Sequence, residues 1–372
     1  MTWDINRTAS FATRFSADYR DAREKFLHAA ELVGGALRHY PNPLRGPAEE
    51  ELATDAAWFG SSEAGKVLVT VSGTHGVEGF CGSGAQLDWL LGPGTAPLPP
   101  DTAMLFVHAI NPHGFAWLRR VTEEGCDLNR NFVDFAKPLP ANPGYDELAD
   151  ALVPRALSGP VFEAAAKQVE SFRTKHGERA YQLARSGGQY KHPGGLFYGG
   201  TKPTWARRTL ETIIADHRLA TRRLVAVVDY HTGLGPFGYG EPISGNAPGS
   251  LGHRRGKQWY GDSLTEPTLG TSSSVPKRGL ADEAWARALD DRVTYVALEY
   301  GTYPSATSGQ KALREDHWLH NYSNVDWAAP ETQRIKSQIR AHYYPETPDW
   351  QEMVLFRSRQ ILRQAIAGLA AG

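Results

Sequence analysis

KVLVTVSGTHGVEGFCGSG, residues 66–84, is the stretch on which the reading of this chain turns. After Lys66 the next five residues are β-branched or apolar on both alternations, the pattern of a short strand buried on both faces of a mostly parallel sheet. The run stops at Gly73-Thr74-His75, and a helix-compatible segment from about Gly82 to Leu91 follows. AMLFVHAINP, from Ala103 to Pro112, supplies a second buried strand and completes a βαβ unit. LVAVVDYHTG from Leu224 and VTYVALEYG from Val293 have the same character. All four runs end in polar residues or glycine. In open α/β sheets the ligand crevice lies beyond the carboxyl ends of the strands, so these four ends are where chemistry can converge.

Around these strands the chain offers helices able to cover a sheet. From Ser16 to Leu37 an amphipathic stripe runs through Tyr19, Ala22, Phe26, Ala30 and Val33, loosened at Gly34-Gly35. Trp205–Leu219, Gln333–Tyr343 and Trp350–Leu369 have helical amphipathic spacing as well. Between Asp134 and Thr204 no strand pattern occurs, only a helix candidate at Val161–Ala184 and the piece GGQYKHPGGLFYGG. This stretch, 134–204, reads as an insertion. Gly235–Gly279, rich in Gly, Pro and Ser, reads as a long ordered loop of the kind that is usually functional. The expected fold is α/β: three layers, with a central mixed, mostly parallel sheet and helices on both faces.

At ~150 residues per domain, 372 residues allow two to three domains or one large unit with insertions. No repeat or linker divides the chain, which favours a single domain over 1–372. Forty Lys and Arg stand against 41 Asp and Glu without a long run of one sign, which argues against nucleic acid or an anionic membrane as partner. No apolar run approaches the ~18 residues of a membrane span, and MTWDINRTAS lacks the basic-then-apolar pattern of a signal peptide. The expectation is a soluble, cytoplasmic protein. Cys81 and Cys126 are too few for a disulfide scaffold or a Cys-rich zinc site, and a reduced compartment fits them.

The strand ends carry a coherent set of side chains. The first supplies His75 and Glu78, two ligand types three residues apart in a turn that opens a helix; the third supplies His231. Two histidines and one carboxylate leave a fourth position open, the arrangement of a catalytic zinc site. Glu299, at the end of the fourth strand, stands where it could take a proton from activated water and deliver it to a leaving nitrogen. The second strand leads to Arg119-Arg120 and then to Asp127-Leu-Asn-Arg-Asn-Phe132, whose arginines can fork onto a carboxylate or a developing oxyanion. His28-Ala-Ala-Glu31 is an internal control: the same spacing, inside an amphipathic helix with no strand before it, reads as a solvated face.

With these residues in place, the chain resembles the zinc carboxypeptidase superfamily, which also contains aspartoacylase and succinylglutamate desuccinylase. Members pair a His-x-x-Glu after an early strand with a later single His, an Asn-Pro-x-Gly segment leading to a functional Arg, an Asn-Arg pair and a late Glu, in this order. The resemblance implies one zinc ion per chain on His75, Glu78 and His231, with Glu299 as general base and acid. It further implies that Arg120 polarises the scissile carbonyl while Asn129 and Arg130 grip a substrate carboxylate. SGTHGVEGFCGSG, RRVTEEGCDLNRNF and QYKHPGGLFYGG look like a bacterial branch described only as a domain of unknown function. The family's peptidases also use a mobile Tyr between the third ligand and the catalytic Glu; Tyr239 and Tyr260 both lie in that interval, and no motif chooses between them.

Two activities fit the same ligands and base. One is a metallocarboxypeptidase trimming a C-terminal residue from a small peptide, the other a deacylase acting on an N-acyl amino acid. A non-enzymatic binding scaffold leaves Glu299 and the open metal position without a reason to coexist. Gly261-Asp-Ser-Leu264 spells a serine-esterase motif, but it lies in a Gly/Ser-rich region rather than after the first strand, and no Asp-x-x-His follows late in the chain.

Overall fold

The computed structural model describes residues 11–92 and 97–372; the first ten residues, whose sequence argued against a signal peptide, lie outside them. Helix α1 (Tyr19–Leu32) starts where the Asp18 side chain accepts the Asp21 amide, and it buries Tyr19, Ala22, Phe26, Ala29 and Ala30. It stops short of Leu37, because Gly34 takes a left-handed conformation (φ 77°) and turns the chain into a strand. That strand, β1 (Ala36–Arg45), pairs antiparallel with β2 (Glu51–Phe59). Neither was legible in the sequence. β1 is an exposed edge strand carrying Pro41 and Pro43, where hydrophobic alternation is not required. β2 carries the buried Asp55, a charge tolerated there because Arg23 donates to it at 2.7 Å and His39 Nδ1 lies 2.6 Å away.

The expected βαβ unit follows as β3 (Lys66–Val71), α2 (Gly79–Leu91) and β4 (Thr102–His108), and after it comes the short α3 (Pro112–Ala116). The 134–204 stretch folds as α4 (Pro143–Leu152), α5 (Gly159–His176) and α6 (Glu178–Ser186). The expected Val161–Ala184 helix is thus two helices, broken at Gly177, whose φ of 83° no continuous helix adopts. Then come α7 (Trp205–Asp216), β5 (Leu224–Phe237), β6 (Gly240–Ser244), α8 (Leu251–Tyr260), α9 (Ala281–Leu289) and β7 (Val293–Gly301). The chain closes with α10 (Gln310–Tyr322), α11 (Pro330–Tyr343) and α12 (Pro348–Ala371). The expected loop at Gly235–Gly279 therefore contains the end of a strand, a further strand and a helix. One of its glycines, Gly252, marks a close helix–strand approach rather than a loop, since a Cβ there would lie 2.3 Å from the Val293 carbonyl oxygen.

The sheet order is β1-β2-β4-β3-β5-β7-β6. The four strands read from the sequence are its parallel centre, β4-β3-β5-β7, and the three that were missed are antiparallel additions at the two sides. Leu68, Phe106, Ala226 and Leu298 pack with α1, α2 and α12 on one face, while Val67, Val69, Leu105 and Val227 pack with α7 and α9 on the other. Burial on both faces is why the central strands read as continuous apolar runs. A third apolar cluster joins the 134–204 helices to α10 and α11 through Tyr145, Phe172, Tyr181, Leu313 and Ile339. From β3 the chain crosses to β4 on one side and later to β5 on the other, so the end of β3 is a topological switch point where a crevice opens.

Candidate metal centre and active site

Three sequence-predicted ligands meet at that switch point. His75 follows β3 by four residues, Glu78 ends the single turn of 3-10 helix Gly76–Glu78, and His231 lies in β5. All three are buried, and one ligand atom from each lies within 4.8 Å of the others. His75 Nδ1 is 3.0 Å from Glu78 Oε1 and 3.2 Å from His231 Nδ1, and the latter is 3.2 Å from Glu78 Oε2. Both imidazoles thus turn Nδ1 inward. Their outer nitrogens face carboxylates: His75 Nε2 is 3.1 Å from Asp127 Oδ1, and His231 Nε2 is 3.2 Å from Asp229 Oδ2, within ion-pairing reach but off the hydrogen-bond axis. Asp229 is fixed in turn by the hydroxyls of Thr74 and Tyr295. A carboxylate behind each ligating imidazole is the usual means of fixing the tautomer and orientation of a metal-binding histidine.

The electrostatics agree with a cation-binding role. Burial alone would raise the Glu78 carboxyl pKa, but His75, His231 and Arg120 more than offset it and hold the group well below the usual carboxylate range. Burial alone would lower the His231 pKa, yet Asp229 and Glu78 carry it well above the ordinary imidazole value. Two imidazoles and a carboxylate converging in a buried pocket fit a divalent cation.

Glu299 stands directly opposite His231 in the parallel pairing of β5 with β7, so both side chains project on the same side of the sheet. It is buried, and its Oε1 accepts the Leu234 amide at 3.1 Å. Burial, with the Glu78 carboxylate next in weight, pushes its pKa up to about 7, against the opposing pull of His231 and Lys277.

The structure separates the adjacent arginines. Arg120 donates to Glu78 Oε1 at 2.8 Å and to Asp127 Oδ2 at 3.1 Å, whereas Arg119 turns away to the buried Asp316. Their carbonyls accept the Gly76 and Val77 amides, which ties this loop to the ligand turn. Asn129 and Arg130 also line the cavity. Asn129 Oδ1 accepts the Ala281 amide at 2.7 Å, and its Nδ2 has no hydrogen bond among the described residues. Arg130 donates to the carbonyls of Asn129 and Ser186, while its Nε is buried without a partner. It makes no ion pair with Asp127, which is taken up by His75 and Arg120.

A cavity of about 520 Å³ opens over these groups, walled by β5, β6, β7, α6 and the loop around Lys277. Sequence reasoning missed several of its residues. Tyr343, at the end of α11, faces the cavity, and burial pushes its hydroxyl pKa up to about 12. Tyr239 and Tyr260, the tyrosines in the interval considered from sequence, do not line it. Asp127, Asp229, Lys277 and Arg185 were unassigned as well. For Asp229 a signal existed, two positions before His231 on the same face of the strand; Arg185 and Lys277 carried none. His192 and Tyr198 stay outside the cavity lining, with His192 paired to Asp146, and Ser263 donates to the Tyr260 carbonyl away from it. The control pair His28 and Glu31 is exposed on α1, and both cysteines are buried and free.

A family model with the description "Protein of unknown function (DUF2817)" matches residues 15–357. The chain belongs to the DUF2817 family. This accords with the branch without an assigned function that its motifs resembled. No curated protein matches this DUF2817 chain. Among solved structures it is similar to the carboxypeptidase A from Helicoverpa armigera, at 12% identity and a TM-score of 0.48 over 95% of this chain and 74% of that one. It is also similar to an aspartoacylase family protein from Mesorhizobium loti, at 14% identity and a TM-score of 0.37 over 77% and 66%. The murein-tripeptide amidase of Escherichia coli O157 matches at 18% identity and a TM-score of 0.34 over 78% and 93%. None of these likenesses assigns a role to a residue of the DUF2817 chain. Among the described residues no helix is long and apolar enough to cross a membrane.

Proposed function

We propose that this protein is a zinc-dependent hydrolase of the metallocarboxypeptidase kind, cleaving an amide bond next to a free carboxylate. The observation that carries the reading is the convergence of His75 Nδ1, Glu78 and His231 Nδ1 within 4.8 Å, with Glu299 in register beside His231. A divalent cation held by His75, Glu78 and His231 would supply Lewis acidity and would lower the pKa of water there. Glu299 accepts a proton at its carboxylate and passes it to the leaving nitrogen, a task suited to a group whose pKa lies near neutrality. Arg120 polarises the scissile carbonyl, its guanidinium already oriented by Asp127. Asn129 and Arg130 hold the substrate carboxylate, with Asn129 Nδ2 as the donor left free. In this reading 1–372 is one domain, and the insertion at 134–204 shapes the pocket.

One feature favours a second substrate class. Helix α6 of the insertion walls the cavity, and a walled space of about 520 Å³ suits a small N-acyl amino acid as well as a short peptide. Elemental analysis, followed by hydrolysis of paired panels of dipeptides and N-acyl amino acids, decides. About one zinc per chain with chelator-sensitive cleavage in one panel is the expected result. No metal, and no turnover after zinc addition, would leave a binding scaffold and overturn the proposal.

A further inference from the structure

Three guanidinium groups surround one aromatic ring in the cavity wall. The Cζ atoms of Arg120, Arg130 and Arg185 lie 5.4, 5.5 and 5.6 Å from the centroid of Phe197, whose backbone is itself left-handed at φ 55°. Two of the three have their charge or donors engaged: Arg120 by Glu78 and Asp127, and Arg130 by the carbonyls of Asn129 and Ser186. Arg185 differs. It is half-buried and lines the cavity, yet its guanidinium makes no hydrogen bond or ion pair with any described residue.

A guanidinium has five N–H donors in a planar fork, and a ring face satisfies none of them as an acceptor would. The cavity's own carboxylates do not answer for it. Glu178 pairs with Arg173, Glu266 with Lys257, and Glu283 accepts the Gly279 amide. Burial and the neighbouring Arg120 both work against the Arg185 charge, while Tyr181 and Tyr343 partly support it. Asp282 and Glu299 also line the cavity, but neither they nor its other carboxylates make an ion pair with this guanidinium, so its donors are open to an entering anion.

Its placement is controlled from the motif read in the sequence. Arg185 is the penultimate residue of α6, and Arg130 Nη2 donates to the carbonyl of the last residue, Ser186, at 2.7 Å. Arg130 gives two of its five N–H groups, one from each terminal nitrogen, to backbone carbonyls, which ties its orientation to the Asn129 and Ser186 backbone. Arg185 has the intact fork that a planar carboxylate accepts in two parallel bonds.

We propose that Arg185, supplied by the inserted segment, is a substrate-binding residue that receives a carboxylate of the substrate, with Arg130 fixing the end of its helix. This rests on the reading of the cavity as the substrate site, and it deepens that reading by adding to Asn129 and Arg130 a carboxylate-binding residue from outside the motif-bearing core.

The test uses succinate as a non-hydrolysable probe, titrated calorimetrically into the metal-loaded protein. Wild type is expected to bind it saturably, Arg185→Gln at least ~10-fold more weakly, and Arg38→Gln, a surface control paired with Asp216, within ~2-fold of wild type. Arg185→Lys keeps the charge and is expected to recover at least ~3-fold of the lost affinity. No saturable binding by wild type, equal binding by Arg185→Gln, or no recovery in the lysine variant would each overturn the assignment. Turnover is not measured here, so Arg185-dependent binding without hydrolysis in any substrate panel would remove the hydrolase reading and leave the anion site standing.

Discussion

His75 Nε2 lies 3.1 Å from Asp127 Oδ1, joining residues 52 positions apart, and this contact turns the Nδ1 of His75 toward Glu78 and His231. Asp127 also accepts the Asn129 amide at 2.9 Å and receives Arg120 on its other oxygen, so one buried carboxylate orients a candidate ligand, a turn and a catalytic candidate together. Asp127→Asn keeps a side-chain oxygen for the turn but removes the charge behind the imidazole. Metal affinity is expected to fall by about 10- to 100-fold, measured by competition with a chromophoric chelator. Wild-type affinity in this variant would break the link between Asp127 and the metal centre.

Loss of a ligand and loss of the base are expected to separate cleanly. His231→Ala removes one of three donors and should reduce metal content from about one ion per chain to a small fraction of that. Glu299→Gln should retain the metal while hydrolysis falls by roughly 10²- to 10⁴-fold. Elemental analysis and initial rates on the same preparations check both, and full activity in the glutamine variant would remove Glu299 from the mechanism.

The raised Glu299 pKa gives a pH dependence with a definite sign. A general base works only when ionised, so kcat/KM is expected to decline as pH falls through about 7. A bound cation favours the ionised form and moves this acidic limb lower. The limb should vanish from the residual activity of Glu299→Gln. A wild-type profile flat between about pH 5 and 8 would contradict the assignment.

Arg120→Gln tests oxyanion stabilisation. If Arg120 acts on charge that develops only in the transition state, kcat is expected to drop by about 10²- to 10³-fold with little change in KM. A rise in KM with kcat unchanged would make it a ground-state binding residue instead.

The neighbouring arginine predicts a stability effect without a catalytic one. Arg119 and Lys336 converge on Asp316 at 3.1 and 2.6 Å, and all three side chains are buried. Burial already pushes the Lys336 pKa down to about 8 against the support of Asp316. Asp316→Ala leaves two cations without their partner and is expected to destabilise the fold by about 3–5 kcal/mol in denaturant unfolding, with metal content retained. A loss under about 1 kcal/mol would mean that water reaches the cluster and screens it.

What could be read from the chain alone follows from how locally each feature is encoded. The four central strands are buried on both faces, so most of their residues are apolar and the runs stand out; their ends then mark His75, His231 and Glu299 by position. The edge strands Ala36–Arg45 and Gly240–Ser244 carry prolines and are held by pairing with a neighbour, which no local pattern records. The same division holds at the site.

By itself the sequence determined the parallel core and singled out His75, Glu78, His231 and Glu299, which the fold brings together, because each is tied to a strand end that hydrophobic burial defines. Tertiary structure alone decided which of Arg119 and Arg120 faces the centre, which carboxylates stand behind the histidines, and that Arg185 enters the cavity from α6. Those choices depend on where side chains distant in sequence find a counter-charge or an acceptor after water is excluded, and only the packed fold sets that.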